Sequence, residues 1–213
     1  MMLETIFEQG SWAMRGRHSK IRRKTYETEV AVAIDLDSYE SKADISTGIG
    51  FFDHMLTTFA MHGGLDLTVT ANGDLHVDGH HTVEDLGITM GLALKDALGD
   101  KKGINRYGTF FLPMDEALAF VSLDLSSRPF LVYDLNEKIE MAPMVGTFDT
   151  QLVEEFLRAF AFNSGMTLHV QVMYGKNSHH IIEAIFKALA HALRIAVSID
   201  PNVHGVPSTK GVL

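Results

Sequence analysis

The chain has 213 residues, with 18 lysines and arginines against 27 aspartates and glutamates, a formal net charge of −9 with histidine neutral. That balance argues against a dedicated nucleic-acid binder, which needs a basic face to neutralise phosphates, and 46% hydrophobic residues with 5 prolines argue against a disordered chain. No apolar run reaches the roughly 18 residues that span a bilayer, and the lack of cysteine excludes disulfides and thiolate chemistry, so the expectation is a cytoplasmic globular protein with 11 histidines to explain.

Met1 to Ala13 lack the basic start, long apolar stretch and cleavage site of an export signal. Arg15, Arg17, Lys20, Arg22, Arg23 and Lys24 follow, and residues 1–23 read as a solvated arm. Beyond it Val30, Val32 and Ile34 alternate with small or polar residues, as a half-buried strand does. FFDHMLTTFAMHGG reads as a helix closed by glycine, with Phe52, Met55, Leu56 and Phe59 on its apolar side. Leu65 to Thr70 alternate again, and Leu86 to Leu98 read as a second helix after the HHTVE at 80–84.

The same order then returns, the sign of an internal repeat. Ala119, Val121 and Leu123 repeat the first strand, with EALAFVSLDL at 116–125 matching ETEVAVAIDL at 27–36. Residues 153–170 repeat 52–69 at a constant offset of 101, and HHIIE at 179–183 repeats HHTVE at an offset of 99. Met166 to Val172 alternate, and Ile182 to Val197 carry an apolar helical stripe. The reading is an α+β fold made of one duplicated unit, with first copy 24–106 and second copy 107–213. Each copy is a mostly antiparallel sheet with two helices packed on one face, a two-layer sandwich.

On a helix, positions i and i+4 share a face while i and i+1 diverge. His80 and Glu84 can therefore reach one metal ion together while His81 points elsewhere, and the same holds for His179 with Glu183 and for His180. The duplication suggests an economical exchange, in which one ion takes His80, Glu84 and His180 and the other His179, Glu183 and His81. The repeated helix adds His54 and, at its offset, Glu155. Imidazole and carboxylate without thiolate suit Mn, Fe, Co, Ni or Zn.

The other histidines say less. His18, His191 and His204 are isolated and read as surface or packing residues, His76 and His169 sit on strands, and His62 either lines a site or caps its helix. Arg106, Arg128, Lys187 and the Ser208-Thr209-Lys210 tail are candidate phosphate contacts, although a tail of that kind is by default unordered. There is no Walker loop and no GxGxxG after a strand.

STGIGFFDHM, GDLHVDGHHTVEDLG, GKNSHHIIEAIFKALAHAL and the ending PSTKGVL resemble imidazoleglycerol-phosphate dehydratases of histidine biosynthesis, over about 24–213 and in the family's order. No phosphatase-like region precedes them, the pattern of the monofunctional form. The resemblance implies a lyase that dehydrates D-erythro-imidazoleglycerol phosphate to imidazole-acetol phosphate with two Mn(II) ions per subunit. One ion would use His54, His81, His179 and Glu183; the other His80, Glu84, His180 and the residue at 155, where the commoner histidine is Glu155 here. Beyond those ligands, substrate contacts would be Glu27, the stretch from His54 to His62, Arg106, Arg128, Lys187, Ser208, Thr209 and Lys210. Catalytic roles would fall to Glu27, as proton carrier, His54 and Glu183.

The C–H proton to be lost is not next to a carbonyl, so an imidazolate held between two ions would serve as electron sink, through a diazafulvene-like intermediate. The resemblance also implies trimers assembling into a 24-subunit shell, with ligands from different subunits meeting at interfaces. Two other classes fit the bare residues: a dinuclear metal phosphoester hydrolase, and a non-catalytic shell stapled by metal.

Overall fold

In the computed structural model, which describes residues 2–5, 16–211 and 213, the first half of the chain runs β1 (Met2–Thr5), β2 (His18–Lys24), β3 (Thr28–Asp35), β4 (Ala43–Ser46), α1 (Gly50–Gly63), β5 (Asp66–Gly73) and α2 (His80–Leu98). The second half runs β6 (Tyr107–Met114), β7 (Ala117–Asp124), β8 (Phe130–Leu135), the short β9 (Met144–Val145) and β10 (Phe148–Asp149), α3 (Leu152–Ser164), β11 (Thr167–Tyr174) and α4 (Ser178–Val197).

Sheet order is β1-β2-β3-β5-β4 in one half and β6-β7-β11-β8 in the other. The β4–β5 and β8–β11 pairs are parallel and the rest antiparallel. Apart from β1 and the β9–β10 hairpin, the second half repeats the first strand for strand. In β3 and β7 every second residue is buried, which places Val30, Val32 and Ile34, and Ala119, Val121 and Leu123, on the core side.

The sequence reading of residues 1–23 as an arm is corrected at its end. His18–Lys24 form β2, the counterpart of β6, so the boundary at 24 falls inside a strand. Its charges disguised it: Arg23 pairs with Asp85 at 2.9 Å, and Arg22 and Lys24 with Glu29. The sequence readings of Arg15 and of the stretch 6–13 lie outside the described residues.

Both late helices also begin earlier than their apolar stripes, at His80 and Ser178, so each HHxxE forms the first turns of its helix. The Asn177 side chain sets the second start by accepting the His179 backbone N–H at 2.9 Å. Gly64 and Gly165, at φ of 66° and 73°, end α1 and α3 in the left-handed conformation that glycine tolerates best.

The helices lie between the two sheets, α2 on β2 and β3, α4 on β6 and β7, with α2 against α3 and α1 against α4. Large apolar side chains such as Phe52, Phe59, Phe156, Phe160 and Phe186 fill this double helix layer. Its four helices run in one direction. Phe52 meets Phe156 at 5.2 Å and Phe59 meets Phe160 at 6.1 Å, which aligns α1 with α3. Gly87 lies against the Phe156 carbonyl and Gly91 against that of Phe160, which aligns α2 with α3; a Cβ on Gly91 would stand 2.7 Å from that oxygen. His54 near Glu183 and His62 near His191 align α1 with α4. All four N-termini therefore stand at one end.

Candidate metal centre and anion pocket

At that end His54 of α1 meets the HHxxE turn of α4. His179 Nε2 is 3.1 Å and His54 Nε2 3.7 Å from Glu183 Oε2. Candidate ligand atoms of these three residues lie within 4.8 Å of one another, the one such convergent group of three among the described residues. The edge of Phe51 contacts the His179 ring at 5.1 Å between centres and fixes its orientation. Glu183 is buried, and its other oxygen accepts from Lys187 Nζ at 2.7 Å. Burial pushes Glu183 up, but the Lys187 hydrogen bond and charge, with His54 and His179, outweigh it and hold the carboxyl below its ordinary range. Two imidazoles and one ionised, partly desolvated carboxylate make a donor set that fits a divalent first-row ion.

The α2–α3 pair is the duplicate of α4–α1, and it carries His80, Glu84 and Glu155 where the other pair carries His179, Glu183 and His54. His80 Nε2 is 3.9 Å from Glu84 Oε2, and Glu155 Oε2 is 3.9 Å from Arg158 Nε. Parallel packing puts these residues on the first turns of adjacent helices.

His81 and His180 join neither group within the chain, so the exchange of vicinal histidines expected from the sequence does not occur inside one subunit. Both diverge to carboxylates of their own copy. His81 Nδ1 is 2.9 Å from Asp74 Oδ2 and 3.9 Å from Glu27 Oε2; His180 Nδ1 is 2.7 Å from Glu116 Oε2. Hydrogen bonds to Asp74 and Glu116 raise the pKa of His81 and His180 respectively. Within the chain, His54, His179 and Glu183 thus converge without a vicinal histidine.

The basic candidates gather elsewhere. Arg106, Arg128, Ser208, Thr209 and Lys210 line one cavity of about 590 Å³ together with Tyr107 and Pro207. Arg106 is buried with φ at 71°; it donates to both Asp124 oxygens at 2.7 and 3.1 Å and to the Pro207 carbonyl at 2.8 Å. Its guanidinium stands 4.7 Å from the Tyr107 ring centre. The tail is a turn rather than loose chain, closed by the Gly211 N–H on the Ser208 carbonyl at 3.0 Å. Arg128 is exposed, 3.5 Å from Asp124. Asp124 cancels one of three cations, leaving a pocket suited to an anion.

Lys187 is not in this pocket but beside Glu183, and His62 pairs with His191. The Arg106 N–H bonds the Ala196 carbonyl, so the pocket sits at the far end of α4 from His179, about 25 Å away at 1.5 Å per residue.

Sequence reasoning missed Asp74, Glu116 and Asp124. Glu116 and Asp124 had a signal, since they stand where the repeat has Glu27 and Asp35; Asp74 had none beyond its charge.

The family profile described as imidazoleglycerol-phosphate dehydratase matches residues 47–193. Curated proteins of that name from Clostridium botulinum (strain Langeland) and Streptococcus gordonii are 60% and 58% identical to this chain, over 94% and 92% of it and all of their own length. Among solved structures, imidazoleglycerol-phosphate dehydratase from Staphylococcus aureus aligns at a TM-score of 0.75 and 44% identity, covering 86% of this chain and 99% of that one. The Pyrococcus furiosus enzyme, solved in complex with (S)-C348, aligns at 0.76 and 40%, covering 90% and 99%.

Proposed function

The chain belongs to the imidazoleglycerol-phosphate dehydratase family, hydro-lyases of histidine biosynthesis, and we propose that it dehydrates D-erythro-imidazoleglycerol phosphate to imidazole-acetol phosphate with two Mn(II) ions per subunit. The observation that carries the metal reading is the convergence of His54, His179 and Glu183, with the duplicated His80, Glu84 and Glu155 for the second ion. His81 and His180 complete the two sets from neighbouring subunits. Ions held by these residues would supply Lewis-acid stabilisation of the negative charge that develops on the substrate when its C–H bond breaks.

The rest falls to the chain's own side chains. Arg106, Arg128 and Lys210, with the Ser208 and Thr209 hydroxyls, take the phosphate dianion. Asp124 holds the Arg106 guanidinium in place at the pocket through two hydrogen bonds. The Glu27 carboxylate, 56% exposed, carries the proton. Lys187 holds Glu183 ionised, the form a ligand needs.

The distance between metal end and phosphate pocket supports an active site shared between subunits. A substrate of this size cannot bridge about 25 Å along one α4, so the pocket of one chain serves the metal ions of another. An assembly of trimers, 24 subunits in all, in the cytoplasm belongs to the same proposal; the distance itself supports only the sharing between subunits. No helix among the described residues is long and apolar enough to cross a membrane.

The test strips metal from the protein, returns Mn(II) or buffer, and follows imidazole-acetol phosphate together with particle size on the same samples. Product and a large assembly that both depend on Mn(II) are expected. Assembly without product would overturn the catalytic reading in favour of a metal-stapled shell, and release of inorganic phosphate would favour a hydrolase.

A further inference from the structure

The two glutamates that the repeat makes equivalent have different surroundings. Glu27 lies in the turn between β2 and β3, where Lys24 pairs with Glu29, so four residues bridge the strands. Glu116 lies in the turn between β6 and β7, where Met114 pairs with Ala117, so only Asp115 and Glu116 bridge them. The shorter turn fixes the carboxylate more closely.

Both of its oxygens are also used. Glu116 Oε1 accepts the Lys176 and Asn177 backbone N–H groups at 3.2 and 2.7 Å, in the loop that launches α4. Glu116 Oε2 accepts from His180 Nδ1 at 2.7 Å. An ionised carboxylate only accepts, so in the neutral His180 ring, the form that can bind a metal, the proton sits on Nδ1 and the lone pair on Nε2. Asp115 Oδ2, on an exposed side chain, is 3.6 Å from that Nε2.

The first copy divides the same work differently. Asp74 takes His81 Nδ1 at 2.9 Å, and Glu27 remains at 3.9 Å, largely exposed. The second copy has no acid where Asp74 would recur, since residues 173–175 read Met-Tyr-Gly.

We propose that Glu116 is the positioning residue of His180, presenting Nε2 as the ligand atom, and that Asp74 does this for His81, which leaves Glu27 as the one repeat glutamate released for the reaction. The proposal rests on the dinuclear reading above. A carboxylate on the far nitrogen of a metal-binding histidine fixes its tautomer and ring angle, and its loss costs 10–100-fold in metal affinity.

The test compares wild type, Glu116→Ala, Glu116→Gln and Glu27→Gln by Mn(II) binding isotherm, metal content after dialysis, and kinetics. Thermal melting of the metal-free proteins serves as the check on folding. Glu116→Ala is expected to weaken one of two Mn(II) sites by about 10–100-fold and to regain turnover when Mn(II) is raised. Glu116→Gln keeps one acceptor oxygen, which can serve His180 Nδ1 or the Lys176 and Asn177 N–H groups but not both, so its metal affinity is expected to fall between those of Glu116→Ala and wild type, a grading that a merely structural role would not produce. Glu27→Gln is expected to bind two ions at wild-type affinity and to lose kcat at saturating Mn(II).

Wild-type affinity at both sites in Glu116→Ala would overturn the assignment of Glu116. Weakened metal binding in Glu27→Gln would overturn the division of labour. A wild type that takes up no Mn(II) would overturn the dinuclear reading itself and this inference with it.

Discussion

His62 Nδ1 and His191 Nε2 stand 3.2 Å apart between α1 and α4, and the Phe110 ring stacks on His191 at 4.3 Å. At that distance one ring donates and the other accepts, so the pair suits at most one proton beyond neutrality. Burial pushes both below the ordinary histidine range. Lys187 adds to this for His62 against an opposing pull from Glu183, and His62 and Arg194 add to it for His191. At these two rings the unfolded chain therefore binds more protons than the folded one from just above pH 6.5 downward, and their contribution to stability falls with pH across that window. His81 and His180, whose pKa values are raised, act in the opposite sense over the same window, so the pair is read by difference: in melts of metal-free protein between pH 7.5 and 5.5, His191→Gln is expected to lose less stability on acidification than wild type. Equal slopes would remove the pair from the acid sensitivity.

Substitutions at opposite ends of α4 are expected to rescue each other. In the proposed reading Glu183→Gln loses a metal ligand and Arg128→Ala a phosphate contact, and the metal end and the phosphate pocket lie about 25 Å apart along α4. If each active site takes metal from one subunit and the pocket from another, co-assembly of the two inactive variants restores part of the activity. Turnover after mixing metal-free subunits and reassembling with Mn(II) measures this; a mixture as inactive as its parents would return the whole site to one chain.

Arg106 and Arg128 are expected to separate in their effects. Arg128 is exposed, so Arg128→Ala raises KM with little change in melting temperature. Arg106 and Asp124 are nearly buried together, and Arg106→Ala leaves Asp124 and the Pro207 carbonyl without their donor. That change is expected to cost about 3 kcal/mol of stability in addition to raising KM. Urea unfolding beside steady-state kinetics distinguishes the two.

Gly91→Ala tests the helix layer. The new methyl group would meet the Phe160 carbonyl at 2.7 Å, Asn163 Cβ at 2.8 Å and the Ser164 nitrogen at 2.9 Å. Backbone is among these contacts, so α2 and α3 must part, at a cost of about 1–3 kcal/mol. Unfolding measured in chelator reads this apart from metal loss; an unchanged midpoint would show that the helices separate freely.

Much of this molecule is legible in its sequence because the repeat says everything twice. Val30 and Ala119 mark one strand in two copies, glycines 64 and 165 close two helices alike, and the paired HHxxE motifs point to metal before any coordinates do. What eluded sequence reading depends on partners distant along the chain. The cations of β2 resemble a solvated arm until Glu29 and Asp85 are seen beside them. Arg106 gains its orientation from Asp124 and from a carbonyl 101 residues away. Nothing in the periodicity of α2 says that Gly87 and Gly91 admit the backbone of α3.

The shared direction of the four helices gives the subunit an electrical polarity. Aligned peptide dipoles leave partial positive charge at one end and partial negative charge at the other. The first end carries Asp53, Glu84, Glu155 and Glu183, and the second carries Lys95, Arg194 and Arg106. Side-chain charge thus opposes the backbone field at each end, gathering acid at the proposed metal end and base at the proposed phosphate end. Two such subunits attract most when the acidic end of one faces the basic end of another, the orientation a shared site needs. Each subunit also carries a net charge of −9, so whole subunits repel at long range, and early association is expected to speed up as salt shortens the Debye length while the end-to-end attraction acts at contact.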